Sequence, residues 1–122
     1  MILRQVMAVK LHGVCVSECN LYYSGSIVLP REMYEDTGLR ENDQVSVYNF
    51  NSGTRYDTYV IGGSAGVVSV NGPSARLSKP RDRLAIVQYV LTDELLEPRI
   101  LFLDASNRIV DQQDVFPEVN CP

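Results

Sequence analysis

The peptide bond between Gly25 and Ser26 has the clearest potential for chemistry in this 122-residue chain. A serine hydroxyl can attack the carbonyl before it and convert that peptide bond into an ester. Gly25 lacks a Cβ, so its backbone can reach the strained dihedral angles that bring the hydroxyl close. Elimination would then cut the chain and leave dehydroalanine, which hydrolyses to a pyruvoyl group with loss of ammonia. A pyruvoyl ketone forms a Schiff base with an amine and accepts the electrons released by decarboxylation.

A Gly-Ser dipeptide alone carries little information, because a chain of this length contains about one by chance. A second one, Gly63-Ser64, is interpreted as an ordinary turn. The first is distinguished by the polar residues that accompany it along the chain: Lys10, His12, Arg55, Thr58, Tyr59 and Asn71.

Arg55 is the candidate for binding a substrate carboxylate, because its planar guanidinium matches a carboxylate with two hydrogen bonds. Lys10 and His12 are two residues apart, so a strand places both on one face, where Lys10 adds a second positive charge. Simpler interpretations remain open. Arg55 can be a solvated side chain, and Lys10 and His12 can form the polar face of an edge strand. A lone histidine is also often structural.

Composition narrows the class of protein. The net charge of -4 argues against nucleic acid as a partner, because phosphate contacts need a basic face. No stretch approaches the length of a membrane span, and Arg4, Gln5 and Lys10 interrupt any secretory signal. We therefore expect a cytoplasmic protein.

The three cysteines, Cys15, Cys19 and Cys121, match neither a disulfide framework nor a metal-binding spacing. Alternation through Val14 to Val16 indicates a strand, in which a free cysteine acts as a small hydrophobe. We predict free, structural thiols and no metal site.

Alternating and β-branched segments predict a chain made mostly of strands. Pro30 to Thr37 is the one predicted helix, with Gly38 placed to end it in a left-handed conformation. A helical turn is also expected from Asp93 to Glu97, and an irregular tail over the last ten residues. The predicted strands are Leu3 to Leu11, Val14 to Ser17, Ser26 to Leu29, Gln44 to Phe50, Thr54 to Ile61, Val67 to Val70, Arg83 to Leu91, Arg99 to Leu103 and Arg108 to Asp111.

Turns are predicted where glycine, proline and asparagine cluster: Asn51-Ser52-Gly53 as a hairpin loop, Asn71-Gly72-Pro73, and Ser78-Lys79-Pro80. Many short strands in one compact chain imply a closed barrel or a sandwich. We predict a single domain, residues 1–122, that forms a small β-barrel.

Five ordered blocks of sequence resemble the pyruvoyl-dependent aspartate 1-decarboxylases. The resemblance covers about residues 1–91. The blocks are Lys10-Leu11-His12, Tyr23-Ser24-Gly25-Ser26, Asn51-Ser52-Gly53-Thr54-Arg55-Tyr56, Thr58-Tyr59 and Ser69-Val70-Asn71-Gly72.

This resemblance implies a mainly-β fold, a six-stranded double-psi β-barrel with one or two short helices. It implies a homotetramer with active sites between subunits, and self-cleavage between Gly25 and Ser26, with or without a maturation factor. The mature enzyme would convert L-aspartate to β-alanine and carbon dioxide through a Schiff base with the pyruvoyl group made from Ser26. The β-alanine would feed pantothenate synthesis.

The resemblance also implies roles for individual residues. Ser26 would supply the pyruvoyl group, Tyr59 a proton for the carbanion left by carbon dioxide, and Thr58 a hydroxyl that assists cleavage and catalysis. The implied substrate-binding residues are Arg55, Lys10, Asn71, Gly72, Pro73 and Ser74, and the supporting residues are His12 and Tyr23.

Strict alternation places Arg55 and Tyr59 on one face of a strand and Thr58 on the other. If all three serve one site, we expect a bulge or a strand end near Thr58. The alternative is a site that gathers residues from two subunits.

Four residues depart from the family pattern: Gly13, Tyr48, Pro73 and Arg76. Proline donates no N–H group, so Pro73 removes an amide that typically faces the substrate. Two alternatives to aspartate decarboxylation therefore stay open. One is the same chemistry on another acidic amino acid such as glutamate, which a pocket distinguishes only modestly. The other is an uncleaved, non-catalytic β-barrel that serves as a binding module.

Overall fold

The computed structural model describes residues 1–112 and Cys121, and strands dominate this part of the chain. The elements also include one α-helix and one 3-10 helix. In chain order the elements are β1 Arg4–Cys15, β2 Glu18–Asn20, β3 Ser26–Pro30, α1 Met33–Thr37, β4 Gln44–Asn49, β5 Arg55–Gly63, β6 Ser69–Asn71, the 3-10 helix Gly72–Arg76, β7 Arg83–Thr92, β8 Arg99–Leu103 and β9 Ile109–Val110.

The nine strands form one sheet in the order β2-β6-β3-β5-β4-β7-β1-β8-β9. This sheet curls back on itself, since the Ser17 N–H just after β1 donates to the Val68 carbonyl just before β6, at 2.8 Å. The predicted mainly-β fold is confirmed. The described residues form nine strands, and the six-stranded double-psi barrel that the resemblance implies stays a prediction. No helix in the described residues has the length and apolarity needed to cross a bilayer.

The core lies on the inner face of the curled sheet. Leu11, Ile86 and Val47 pair side by side across β1, β7 and β4, and each is almost completely buried. The next residue in this row is Tyr56 on β5, which packs against the same core. Neighbouring residues along each strand consequently lie on the outer face, as the alternation of a strand requires.

The segments predicted as two strands at the N-terminus are one continuous strand, β1, with register shifts at Met7/Val9 and His12/Val14. The second shift coincides with Gly13, whose φ of 93° lies in the region that glycine adopts without strain. A bulge at Gly13 therefore bends the strand where the sequence indicated a break.

The predicted helix is shorter than expected and begins later. Pro30 ends β3 by pairing with Gly63 of β5, and α1 then runs over Met33–Thr37. Its predicted end is confirmed: Gly38 has φ 76°, and its N–H donates to the Tyr34 carbonyl at 2.9 Å. Proline was misassigned because it is tolerated both at a strand end and in a first helical turn.

Three other local predictions differ from the structure. β2 was not predicted, and Asp93–Glu97 forms a bend followed by residues without regular secondary structure rather than a helical turn. Asn71-Gly72-Pro73 leads into the 3-10 helix, with Pro73 in its first turn. The predicted hairpin loop Asn51-Ser52-Gly53 is confirmed between β4 and β5. The predicted tail lies outside the described residues except for Cys121.

The prediction of three free thiols is wrong for two of them. Cys15 and Cys121 form a disulfide across 106 residues of sequence, and only Cys19 is free. Spacing gave no indication of this bond, because it depends on the fold bringing the two ends of the chain together. The Cys121 N–H donates to the Arg81 carbonyl at 3.0 Å, which fixes this residue beside the start of β7.

Candidate functional site

Ser26 lies in a row of three polar residues that crosses three adjacent strands. Asn20 of β2 pairs with Asn71 of β6, and Asn71 pairs with Ser26 of β3. The Asn71 Nδ2 donates to the Ser26 Oγ at 3.3 Å, and the Asn20 Nδ2 donates to the Asn71 Oδ1 at 3.0 Å. Asn71 and Ser26 are only 7% and 5% exposed, so few water molecules can compete for these bonds.

The peptide segment before Ser26 packs directly against Gly72. A Cβ at Gly72 would lie 2.5 Å from the Gly25 Cα and 2.8 Å from the Gly25 nitrogen, and the φ of Gly72 is 75°. Only glycine fits both the conformation and the space. The ring of Pro73 also borders Gly25, because its Cδ lies 3.8 Å from where a Gly25 Cβ would stand. Backbone contact therefore holds the carbonyl side of the Gly25-Ser26 bond in place.

Tyr59 lies beside Ser26 on the neighbouring strand. In the parallel ladder of β3 and β5, Ile27 is opposite Val60, so the residues one position earlier, Ser26 and Tyr59, are level. Because Ile27 and Val60 are fully buried, alternation places both Ser26 and Tyr59 on the outer face. The structure thus brings two predicted catalytic residues together.

Thr58 lies on the opposite face from Tyr59. It pairs with the buried Val45 of β4, and the β4–β5 ladder continues without a register shift from Gln44 to Tyr48. β5 itself extends to Gly63. The predicted bulge or strand end near Thr58 is therefore wrong, and the alternative of a site shared by two subunits stays a prediction.

Arg55 lies on the outer face beside an aromatic side chain, in a second row of residues paired across adjacent strands. Arg55 pairs with Tyr48 of β4, and Tyr48 pairs with Ala85 of β7. Ala85 in turn pairs with His12 of β1. The guanidinium carbon of Arg55 is 4.1 Å from the centre of the Tyr48 ring, and the hydroxyls of Tyr48 and Tyr89 are 2.9 Å apart. The bond from Tyr48 raises the pKa of Tyr89, and the cation–π contact holds the exposed arginine over the sheet.

His12 and Lys10 share the outer face of β1, as predicted. The His12 ring makes edge contacts with Phe50 and Phe102, at centroid distances of 5.3 and 5.5 Å. Burial, with smaller effects of the positive charges of Lys10 and Arg83, lowers the pKa of His12. His12 is therefore neutral at neutral pH, while Lys10 supplies the positive charge on this face.

The candidate residues divide into two groups within one chain. We call Asn20, Gly25, Ser26, Asn71 and Gly72 the cleavage group, and Lys10, His12, Tyr48 and Arg55 the cationic group. Arg55 is four residues along β5 from the level of Ser26, about 13 Å. Lys10 is four strands from Ser26, about 19 Å along the sheet.

A buried polar cluster around Asn49 fixes the hairpin that precedes Arg55. The Asn49 Oδ1 accepts from the N–H groups of Asn51 and Ser52 at 2.8 and 3.2 Å. Its Nδ2 donates to the Asp82 Oδ2 at 2.8 Å and to the Leu77 carbonyl at 3.2 Å. Asn49 and Asp82 are 3% and 4% exposed.

The same cluster reaches the segment that follows the 3-10 helix. The Thr54 Oγ1 donates to the Leu77 carbonyl at 3.0 Å, and the Tyr56 hydroxyl is 2.7 Å from the Ser78 Oγ. Burial raises the pKa of Tyr56 to about 12. The sequence did not indicate Asn20, Asn49 or Asp82, because these residues lie outside the five blocks that resemble the family. Their roles depend on hydrogen bonds to residues that are distant in the sequence.

The remaining predicted residues lie around these groups. Tyr23 is exposed, and its N–H donates to the Asn20 carbonyl at 3.3 Å. The carbonyl of Ser74 accepts from Leu77 at the end of the 3-10 helix, and Arg76 is exposed on that helix.

Gly13, one of the departures from the family pattern, has a structural explanation. A Cβ at Gly13 would collide with the guanidinium of the buried Arg83, whose pKa is lowered by burial. The arginine side chain from β7 therefore fills the space that a side chain at position 13 would need. Among residues 1–112 and Cys121, no three His, Cys, Asp or Glu side chains cluster in a way that could hold a metal ion.

Comparison with known proteins identifies relatives along almost the whole chain. The family described as aspartate decarboxylase matches residues 2–110. A Bacillus cereus protein named aspartate 1-decarboxylase is 40% identical over 114 residues, which cover 88% of this chain and 90% of the relative. Proteins of the same name from Caldicellulosiruptor bescii and Burkholderia cenocepacia are 39% and 32% identical. The first alignment covers 96% of both chains, and the second covers 96% of this chain and 97% of the relative.

Proposed function

Because the chain belongs to the aspartate decarboxylase family, we propose that it converts L-aspartate to β-alanine and carbon dioxide with a pyruvoyl group made from its own Ser26. The single observation that carries this proposal is the buried Ser26 hydroxyl, held by Asn71 next to a glycine backbone on which Gly72 packs. In this proposal the enzyme is cytoplasmic and its β-alanine supplies pantothenate synthesis.

Self-cleavage begins with the Ser26 Oγ. It forms a bond to the Gly25 carbonyl carbon while the Gly25–Ser26 C–N bond breaks, which gives an ester and a free amine on Ser26. Loss of the Ser26 α-proton then breaks the Cβ–Oγ bond and releases Gly25 as a carboxylate. The dehydroalanine that remains rearranges to an imine, takes up one water and releases ammonia, which leaves the pyruvoyl ketone at the start of residues 26–122.

The surroundings of Ser26 fit this group. The Asn71 Nδ2, 3.3 Å from the Ser26 Oγ, is an uncharged donor to the oxygen on which negative charge develops when the Cβ–Oγ bond of the ester breaks and Gly25 leaves as a carboxylate. The backbone contact between Gly72 and Gly25 leaves no room for a side chain, so it can support the strained conformation that the attack needs. Once formed, the ketone supplies an electrophile for the substrate amine and an electron sink for decarboxylation.

The cationic group is assigned to the carboxylates of the substrate. Arg55 presents its guanidinium on the outer face over Tyr48. Lys10 adds a second positive charge, whereas His12 is neutral. Because these residues lie about 13 to 19 Å from Ser26 along the sheet, one chain does not place them against its own pyruvoyl group. We therefore assign the complete site to the interface of two copies in a homotetramer.

Tyr59 is assigned as the proton donor to the product carbon. It lies level with Ser26 on the adjacent strand and on the same outer face. Thr58 keeps its proposed role as the assisting hydroxyl, although it lies on the inner face of β5, one residue before Tyr59. Asn71, Gly72 and Pro73 border the reactive bond, and Ser74 follows them in the 3-10 helix. We assign these four as the remaining substrate-binding residues.

The test compares Ser26→Ala with Ser64→Ala, which alters the other Gly-Ser dipeptide at an exposed turn. Carbon dioxide release is measured with L-aspartate and with L-glutamate, and chain cleavage is followed on reducing denaturing gels. We expect Ser64→Ala to behave as wild type and Ser26→Ala to remain one inactive chain. Cleavage of Ser26→Ala would remove Ser26 from its role, and faster release from glutamate than from aspartate would assign the enzyme to the longer acid.

A further inference from the structure

We infer that Asn20 is a positioning residue for self-cleavage: it orients the amide of Asn71 so that its NH₂ group, not its oxygen, faces the Ser26 hydroxyl. This inference deepens the proposed function and rests on it. Asn20 belongs to none of the blocks that carry the family resemblance, and its role is visible only in the pairing of β2 with β6.

The hydrogen bonds form a directional chain. The Asn20 Nδ2 donates to the Asn71 Oδ1 at 3.0 Å, so the Asn71 oxygen is turned toward β2. The Asn71 Nδ2 is thereby turned toward β3, where it donates to the Ser26 Oγ at 3.3 Å. An asparagine amide has one acceptor end and one donor end, so a donor at Asn20 fixes which end reaches Ser26.

This orientation matters because of the charge that develops on the Ser26 Oγ. When the Cβ–Oγ bond of the ester breaks and Gly25 leaves as a carboxylate, a donor stabilises the negative charge on this oxygen, whereas a carbonyl oxygen in the same place repels it. Asn71 is only 7% exposed, so little water is available to replace a lost hydrogen-bond partner or to satisfy the amide in the reversed orientation. An acceptor in place of the Asn20 NH₂ group would therefore turn the Asn71 amide the wrong way.

Asn20→Asp is the sharpest variant, because it keeps the shape of the side chain and replaces the donor with an acceptor at neutral pH. Full-length precursor is synthesised in a cell-free system and sampled over time on reducing denaturing gels. We expect Asn20→Asp to cleave about ten to a hundred times more slowly than wild type at neutral pH. Asn20→Ala leaves the Asn71 amide without a fixed orientation, and we expect a smaller slowing.

The dependence on pH separates orientation from simple damage to the fold. A protonated aspartic acid can donate to the Asn71 Oδ1, as asparagine does. The ratio of the Asn20→Asp rate to the wild-type rate should therefore rise toward one as pH falls to the region where the new carboxyl is protonated, about pH 4 to 5. The Asn20→Ala ratio should stay constant.

Glu18→Gln is the matched control. Glu18 lies on the same short strand and accepts a hydrogen bond from the Ser69 Oγ of β6 at 2.6 Å, so this variant alters the same strand pair without reaching Ser26. We expect wild-type cleavage from it.

The outcomes are distinct. A wild-type precursor that never cleaves refutes the proposed function itself. With a cleaving wild type, three results overturn the role of Asn20: wild-type rates in Asn20→Asp at neutral pH, wild-type rates in Asn20→Ala, or a deficit in Asn20→Asp that persists unchanged at acidic pH. Slow cleavage with acid recovery, absent from Asn20→Ala, supports the role.

Discussion

The cleavage group and the cationic group differ in how completely one chain builds them. The cleavage group is buried at Ser26, Asn71 and Gly72 and partly buried at its other two residues. Its side chains are hydrogen-bonded across three strands, and two glycines touch through their backbones. The cationic group lies on the outer face of β5, β4 and β1, away from the level of Ser26, with Arg55 exposed over an aromatic ring. Under the proposed function, the chemistry of self-cleavage would be prepared within a single chain, whereas substrate binding would need a second copy to complete the surface.

Arg55→Ala should have the largest effect of these variants, and it should impair decarboxylation without impairing chain cleavage. Loss of the guanidinium should reduce kcat/KM for aspartate by about a hundredfold, because the carboxylate loses its charged, two-point partner. Chain cleavage should proceed at the wild-type rate, since Arg55 is about 13 Å along β5 from the level of Ser26.

Arg55→Lys serves as its control, because it keeps the charge and removes the fork-shaped donor. We expect an intermediate loss of kcat/KM. If Arg55→Ala slows cleavage as strongly as decarboxylation, the two groups form one site in the uncleaved chain and the comparison fails.

Asn49→Ala tests the buried polar cluster that fixes the hairpin before Arg55. It removes the donor to the buried Asp82 carboxylate and the acceptor for two loop N–H groups, so we expect a loss of about 3 kcal/mol in the free energy of unfolding. Denaturant unfolding measures the change. Ser52→Ala, at an exposed position of the same loop, removes only the hydrogen bonds between the Ser52 Oγ and Thr54, so it should cost less than about 1 kcal/mol. Equal stability of the two variants would show that the cluster does not hold this hairpin.

His12→Phe should have the smallest effect, on the pH dependence of stability. The folded-state pKa of His12 is lowered, so the unfolded chain binds the proton more readily. The stability that this residue contributes is present above the unfolded pKa of about 6.5 and is lost as pH falls below it toward the folded pKa.

Phenylalanine keeps a ring against Phe50 and Phe102 but does not titrate. The fall in Tm between about pH 7.5 and about pH 5.5 should therefore be smaller in His12→Phe than in wild type. An identical fall in the two proteins would show that other groups cause the dependence on pH.

Local signals in the sequence predicted what local structure decides. Gly38 was correctly placed at the end of the helix, because a left-handed residue there depends only on the preceding turn. The loop at Asn51-Ser52-Gly53 and the strand Arg99–Leu103 were predicted for similar reasons. The start of the helix was misplaced because Pro30 also suits the end of a strand, and pairing with β5 decides between the two.

The parts that sequence alone did not predict depend on distant pairing. Asn20 reaches Asn71 across 51 residues, and Cys15 reaches Cys121 across 106. The division into two groups follows from strand order, which places β1 four strands from β3. Alternation correctly separated Thr58 from Tyr59, but the bulge expected to reunite them is absent because the β4–β5 ladder is continuous.

The disulfide determines how cleavage must be measured. Cys15 precedes the proposed cleavage site and Cys121 follows it, so the bond joins the two chains that cleavage would produce. Without reduction, cleaved protein differs in mass from the precursor only by one water gained and one ammonia lost. Cys121→Ser removes the link and provides a control in which the chains separate without reductant.

The most direct test is the intact mass of the purified, fully reduced protein, incubated without any other protein. We predict two chains, residues 1–25 ending in a free carboxylate at Gly25 and residues 26–122 beginning with a pyruvoyl group. Cleavage under these conditions would also show that no maturation factor is required. A single chain of full mass, still present when lysate is added, would contradict the account and leave an uncleaved β-barrel.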